Sequence, residues 1–165
     1  MGSPVFEPKK IPVLSEKDRV INESIQAAGR EWKITVLSMG NPHGVIFTED
    51  VDTLDLEKIG PKFERHPWFP DRINTEFIRV LDDRTIQMRV WERGSGETMA
   101  CGTGACAAAV ASALNGYTGP EVRVRLLGGD LDIFWDREEN QVYMTGPATT
   151  VFEGEIYLEG EEEHV

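Results

Sequence analysis

Cysteine, histidine and cationic charge are all scarce in this 165-residue chain, and each shortage excludes something. The two cysteines, Cys101 and Cys106, are too few for a disulfide framework. Without a CxxC pair or a nearby histidine repeat they do not make a zinc site, so no metal is expected. If the Gly/Ala-rich run that holds both is helical, their Cα atoms lie roughly 8 Å apart, too far for an unstrained bridge. Two free thiols in a reducing compartment remain. Lys and Arg number 17 against 29 Asp and Glu, a formal charge of −12, and no basic cluster occurs. Phosphate binding needs concentrated Lys/Arg, so nucleic acid is a poor partner. No run approaches the about 18 apolar residues of a membrane span. Residues 1–10 lack the apolar core of a signal peptide. A cytoplasmic location is expected.

What is present suits one ordinary globular core, since 40% of the chain is hydrophobic. Residues 1–14 read as a proline-punctuated, extended lead-in. Residues 17–30 have helical propensity, but the Ala27–Arg30 turn feeding the apolar run 32–39 favours a hairpin. A turn over 40–44 precedes a second apolar run at 45–47. Leu54, Leu56, Ile59 and Phe63 have helical spacing interrupted by Gly60-Pro61. Residues 75–81 and 85–91 are β-branched and aromatic around a polar turn, a hairpin signature. Residues 105–114 are an Ala-rich helix with a glycine stop at Gly116, small and uncharged enough to be buried all round. Strands are predicted over 121–127, 130–135, 141–145 and 150–158. The predicted class is α+β: antiparallel strands forming a barrel-like sheet around a buried small-residue helix.

Cys101 precedes Gly-Thr-Gly and then that helix. Helix N-termini carry unpaired N–H groups and a positive dipole end, which lower a thiol pKa or cradle a carboxylate. A small buried cysteine is the plain alternative. Cys106, further into the alanine run, reads as packing. Glu92-Arg93, at a strand end before the Gly94-Ser-Gly96 turn, is either a solvated pair or a clamp for a zwitterion. Asn41 and His43 share a tight turn, where asparagine is common for conformational reasons alone. His66 reads as structural, and Asn74 carries no signal by itself.

Four segments together are more specific. Met39-Gly-Asn-Pro-His-Gly44, Phe69-Pro-Asp-Arg-Ile-Asn-Thr-Glu-Phe77, Trp91-Glu-Arg-Gly-Ser-Gly-Glu-Thr98 and Ala100-Cys-Gly-Thr-Gly-Ala105 resemble, in order and spacing, the C-terminal half of the diaminopimelate epimerases. The likeness runs from about Met1 to Leu158. It implies a cofactor-independent isomerase of lysine and peptidoglycan precursor synthesis, interconverting LL- and meso-diaminopimelate. Two thiols would act on opposite faces of the α-carbon.

By motif position, Cys101 resembles one of the two catalytic cysteines, and His43 and Glu92 the residues that assist at the reacting centre. Asn41, Asn74, Glu92 and Arg93, with the backbone of Gly102 and Thr103, resemble the substrate-binding set. Phe152 falls where the family places a dimer contact. The resemblance further implies domain bounds: a C-terminal-type domain over 1–148, a final strand over 149–158 that pairs with a first domain, and a frayed tail over 159–165. That first domain would carry the second cysteine, since Cys106 lies on the same helix as Cys101. The expected partners are therefore the small-molecule substrate, a Cys-bearing N-terminal domain and, for the full-length family, a second copy. A chain of this extent would be inactive alone. A proline-racemase-like enzyme of the same architecture and a non-catalytic ligand-binding or assembly domain are the alternatives.

Overall fold

The computed structural model describes residues 1–156. Two hydrophobic clusters lie on opposite faces of one mixed sheet, and each is capped by a helix. The first two strands, β1 (Val20–Ala27) and β2 (Arg30–Ser38), form the hairpin the turn signal favoured. Its corner residues Ala28 and Gly29 have φ of 51° and 82°, the left-handed pair that matches the twist of flanking strands. Next come β3 (Pro42–Phe47) and, after helix α1 (Leu56–Glu64), β4 (Asn74–Asp82) and β5 (Thr85–Glu92). A short β6 (Gly96–Thr98) folds back on β5. Helix α2 (Gly102–Leu114) leads to β7 (Glu121–Leu126), β8 (Gly129–Asp136) and β9 (Gln141–Thr145).

The sheet order is β1-β2-β3-β4-β5-β7-β8-β9, with β6 beside β5. The expectation of an antiparallel sheet needs correcting at two places. β3 pairs with β4, and β5 with β7, in parallel. Parallel neighbours need a crossover, and α1 and α2 lie in the two crossovers. Helix α2 packs on β2, β3, β4, β5, β7, β8 and β9. No ladder joins β9 to β1 among the described residues. Instead the lead-in bridges the gap, Gly2 to Val142 of β9 and Val5 to Ser38 of β2. Residues 150–156 of the last predicted strand carry no strand pairing within this chain, and Val151, Phe152 and Ile156 are exposed. Residues 157–158 of that strand and the tail lie outside the described residues.

α2 is buried along Gly104–Ala113 because alanine, cysteine and glycine let the sheet approach from every side. On the opposite face Trp32, Phe63 and Phe77 stack edge to face, with centroids 5.4–6.0 Å apart. Trp91 lies flat on Gly60 of α1, where an added Cβ would fall 2.3 Å from the indole. That close approach explains the glycine inside the helix. Pro61 follows it inside the helix and removes one backbone donor. No helix of the described residues is long and apolar enough to cross a membrane.

Candidate active site

The site lies where α2 begins, over the ends of β3, β4 and β5. Cys101 is the N-cap residue of α2, extended at φ −141° and ψ 108°. Its Sγ accepts the Gly104 N–H at 3.3 Å and lies 3.6 Å from the Thr103 hydroxyl. The Ala105 N–H bonds the Cys101 carbonyl. Gly102 and Thr103 thus carry the first-turn N–H groups that neither the helix nor the thiol uses, a cradle suited to a carboxylate.

From Thr103 a chain of side chains runs inward. Asn41 Nδ2 donates to Thr103 Oγ1 at 3.3 Å, and Asn41 Oδ1 lies 2.9 Å from His43 Nε2. His43 Nδ1 meets Glu76 Oε1 at 2.7 Å, both groups wholly buried. Glu76 was not singled out from the sequence. Its strand is buried on both faces, so the alternation that marks an inward carboxylate is absent there. A charged residue inside so apolar a strand was the one available signal.

Glu92 accepts from the Thr98 hydroxyl, which ties β6 to the end of β5. Asn74, next to Glu76 but one, is 4% exposed and spends its amide inside the fold. Its Nδ2 donates to the Pro42 carbonyl at 3.0 Å, and its Oδ1 accepts the Arg93 N–H at 2.8 Å. The structure therefore brings Cys101, Thr103, Asn41 and His43 into one connected group, and joins Asn74 to Arg93 beside it. Phe152 lies in the exposed stretch after β9, and His66 packs against Trp68 and Phe69 on the far face. Cys106 is wholly buried in the α2 core. No cluster of His, Cys, Asp or Glu able to hold a metal occurs among the described residues.

The glycine turn that presents Glu92 and Arg93 is anchored from below by Glu64 of α1. This carboxylate, 3% exposed, accepts from Trp91 Nε1 at 2.8 Å, the Gly94 N–H at 3.2 Å and Arg72 at 3.3 Å. Burial alone would raise its pKa, but these donors and the nearby arginines together hold it below the ordinary 4.5. A depressed folded-state pKa gives stability that is present above the unfolded value and lost as pH falls through the folded one. Glu64→Gln is expected to lower stability by about 1–3 kcal/mol at neutral pH. The gap between variant and wild type closes below pH 4.5, as denaturant titrations at several pH values would show.

The electrostatics of Cys101 differ from the sequence expectation. Position at a helix N-terminus suggests a lowered pKa, yet burial first, and then the Glu76 and Glu92 charges, push the thiol up to about 11. The Thr103 and Gly104 donors oppose this without overcoming it. Cys101 therefore rests as a thiol. Its alkylation by iodoacetamide is expected to accelerate with pH through 9 without a plateau; a plateau near neutrality would contradict the assignment. Cys106 is pushed to about 12 by burial and should stay unmodified in the folded chain.

The site thus combines a weak acid on a helix N-terminus, free N–H groups and a buried imidazole–carboxyl pair. Residues 35–151 match the family model described as diaminopimelate epimerase. The diaminopimelate epimerase of Acetivibrio thermocellus is 57% identical over 158 residues, 96% of this chain and 56% of that protein. That of Methanococcus maripaludis strain C5 is 57% identical over 156 residues, 94% of this chain and 56% of the relative. A solved phenazine biosynthesis protein of the PhzF family from Bacillus anthracis overlaps 68% of this chain and 38% of its own, with 22% identity and a TM-score of 0.47. The chain belongs to the diaminopimelate epimerase family. It spans about half the length of the curated relatives it matches.

Proposed function

We propose that this chain supplies one of the two acid/bases of a cofactor-independent epimerase that interconverts LL- and meso-diaminopimelate. The observation that carries the proposal is Cys101, a thiol seated on the α2 N-terminus beside the unused Gly102 and Thr103 N–H groups, in a chain 57% identical to relatives bearing that name. In one direction a thiolate takes the α-proton from one face and a thiol on the other face delivers a proton to the same carbon. Cys101 plays one role and ends in the other's protonation state, so the reverse reaction exchanges the parts. Negative charge that develops at the α-carbon spreads into the substrate carboxylate, where the Gly102 and Thr103 N–H groups stabilise it. A thiol held near 11 is a competent donor, and its thiolate a strong base toward a weakly acidic C–H. His43 and Asn41 keep this constellation in place. Glu92, Arg93 and Asn41 mark where the polar ends of a long zwitterionic substrate are received, and Asn74 holds the Arg93 backbone in place beside them.

The second thiol lies outside these residues, because Cys106 is enclosed in the α2 core. We assign the chain as the C-terminal-type domain over 1–148. Segment 149–158 then serves contact with the other half, and Phe152 a contact between copies. The exposed apolar side chains of Val151, Phe152 and Ile156 favour such contacts. Alone, the chain would hold one acid/base and turn over nothing. Joined to the half of a relative that this chain does not match, it should epimerise LL-diaminopimelate and leave L-proline untouched. Turnover of proline instead would assign it to the racemase reading.

A further inference from the structure

On the reading of Cys101 as an acid/base, we propose that Glu76 is a positioning residue: it holds His43 with the proton on Nε2, and so turns the Thr103 hydroxyl toward Cys101 Sγ. One directed hydrogen bond, from Asn41 to Thr103, and the close contacts that continue it to His43 and Glu76 carry the inference. Asn41 donates to Thr103 Oγ1 through Nδ2, which leaves the Thr103 proton free to point at Sγ, 3.6 Å away. Asn41 then offers only its carbonyl to His43, so Nε2, at 2.9 Å, must be the donor. With Nε2 protonated, the short contact of Nδ1 to Glu76 Oε1 needs one more proton, on either atom. The pair thus holds two protons and no net charge. Burial pushes the Glu76 carboxyl up, with His43 opposing and Glu92 adding to the rise, and its second oxygen is buried without a partner. A proton-sharing, neutral pair is what such a place favours.

Removal of one proton reverses the chain. His43 would then donate from Nδ1 to the carboxylate and present a bare Nε2. The Asn41 amide must turn over to donate to it, and the Thr103 hydroxyl must turn from Sγ to the Asn41 carbonyl. The pair would carry a full negative charge facing the thiol. Both changes disfavour the Cys101 thiolate, so the neutral pair and the thiolate support one another. The charged and titratable groups around Glu76 are His43 from β3, Glu92 from β5 and Cys101 from α2. Packing makes the coupling direct: a Cβ at Gly104 would fall 2.8 Å from Glu76 Oε1 and 3.1 Å from Cys101 Sγ. Only glycine lets the carboxyl and the thiol approach the same point of the helix.

The test uses the full chain and needs no substrate. Nitrogen-15 NMR of the His43 ring reports which nitrogen is protonated, and iodoacetamide alkylation against pH reports Cys101 ionisation. The wild type should show a protonated Nε2. Glu76→Gln, whose amide donates to Nδ1, should keep that state. Thr103→Val should slow alkylation about tenfold at a fixed pH below the midpoint, one pKa unit, whereas Glu76→Leu, which removes the partner of Nδ1 together with a group that raises the thiol, should release the His43 ring from the Nε2-protonated state. A bare Nε2 in the wild type, an unchanged ring in Glu76→Leu or an unchanged alkylation profile in Thr103→Val overturns the assignment. If Glu76→Leu does not fold, the wild-type ring, the Glu76→Gln ring and the Thr103→Val profile decide it. Failure to epimerise diaminopimelate would leave these readouts untouched, so the two proposals fail separately.

Discussion

Cys101→Ser is expected to lower α-proton transfer by roughly 10²–10⁴-fold in the completed enzyme, the range a positioned acid/base supplies. The substitution separates chemistry from folding cleanly. Serine is a preferred N-cap residue and can accept the Gly104 N–H as the cysteine sulfur does. Helix α2 therefore keeps its start, and the thermal midpoint should stay within a few degrees of wild type. What is lost is acidity, because an alkyl hydroxyl ionises far above even a thiol held at about 11. Cys106→Ala gives the contrast. Its thiol is wholly enclosed by the α2 core, so a small cavity lowers stability by about 1 kcal/mol while proton transfer is unchanged. A large rate loss there would relocate the chemistry on the helix.

Gly60→Ala should have the largest effect on the fold relative to the change made. Alanine is the better helix former by about 1 kcal/mol, which by itself predicts a more stable protein. The added methyl, however, would sit 2.3–2.6 Å from three ring carbons of Trp91. Neither the ring nor the helix backbone can yield without disturbing the Glu64 contacts to Trp91 and Gly94. Overpacking of this kind costs about 1–3 kcal/mol or more, so the clash outweighs the propensity gain. A net loss of about 2 kcal/mol in denaturant unfolding is expected. Because Glu64 anchors the turn after Glu92 and Arg93, the substrate KM of the completed enzyme should rise as well. A stabilised Gly60→Ala would show that the Trp91 contact relaxes freely.

The sequence disclosed those parts of the molecule that local chemistry governs. The two hairpins were legible because β-branched and aromatic runs flank short polar or glycine turns, and α2 because its alanines are uninterrupted. The parallel pairings β3–β4 and β5–β7 were not, since nothing local to Pro42–Phe47 or Glu121–Leu126 says which distant strand it joins. The segment 150–156 has strand-like composition but no partner in the described residues, and composition alone does not make a ladder. At the site, Cys101, His43 and Asn41 could be picked out by residue type and motif. Glu76 could not, because its strand is buried on both sides. The direction of the thiol shift was missed for a related reason: the helix N-terminus is local to Cys101, whereas the opposing carboxylates arrive from β4 and β5.

The most direct measurement is α-proton exchange of LL-diaminopimelate in heavy water. It would be made with this chain, with the unmatched half of a relative, with the two combined, and with the combination carrying Cys101→Ser. Exchange in the combination, absent from either piece and abolished by the serine, is the predicted result. Exchange that survives Cys101→Ser undiminished would contradict the account, because the thiol on α2 could not then be the group that moves the proton.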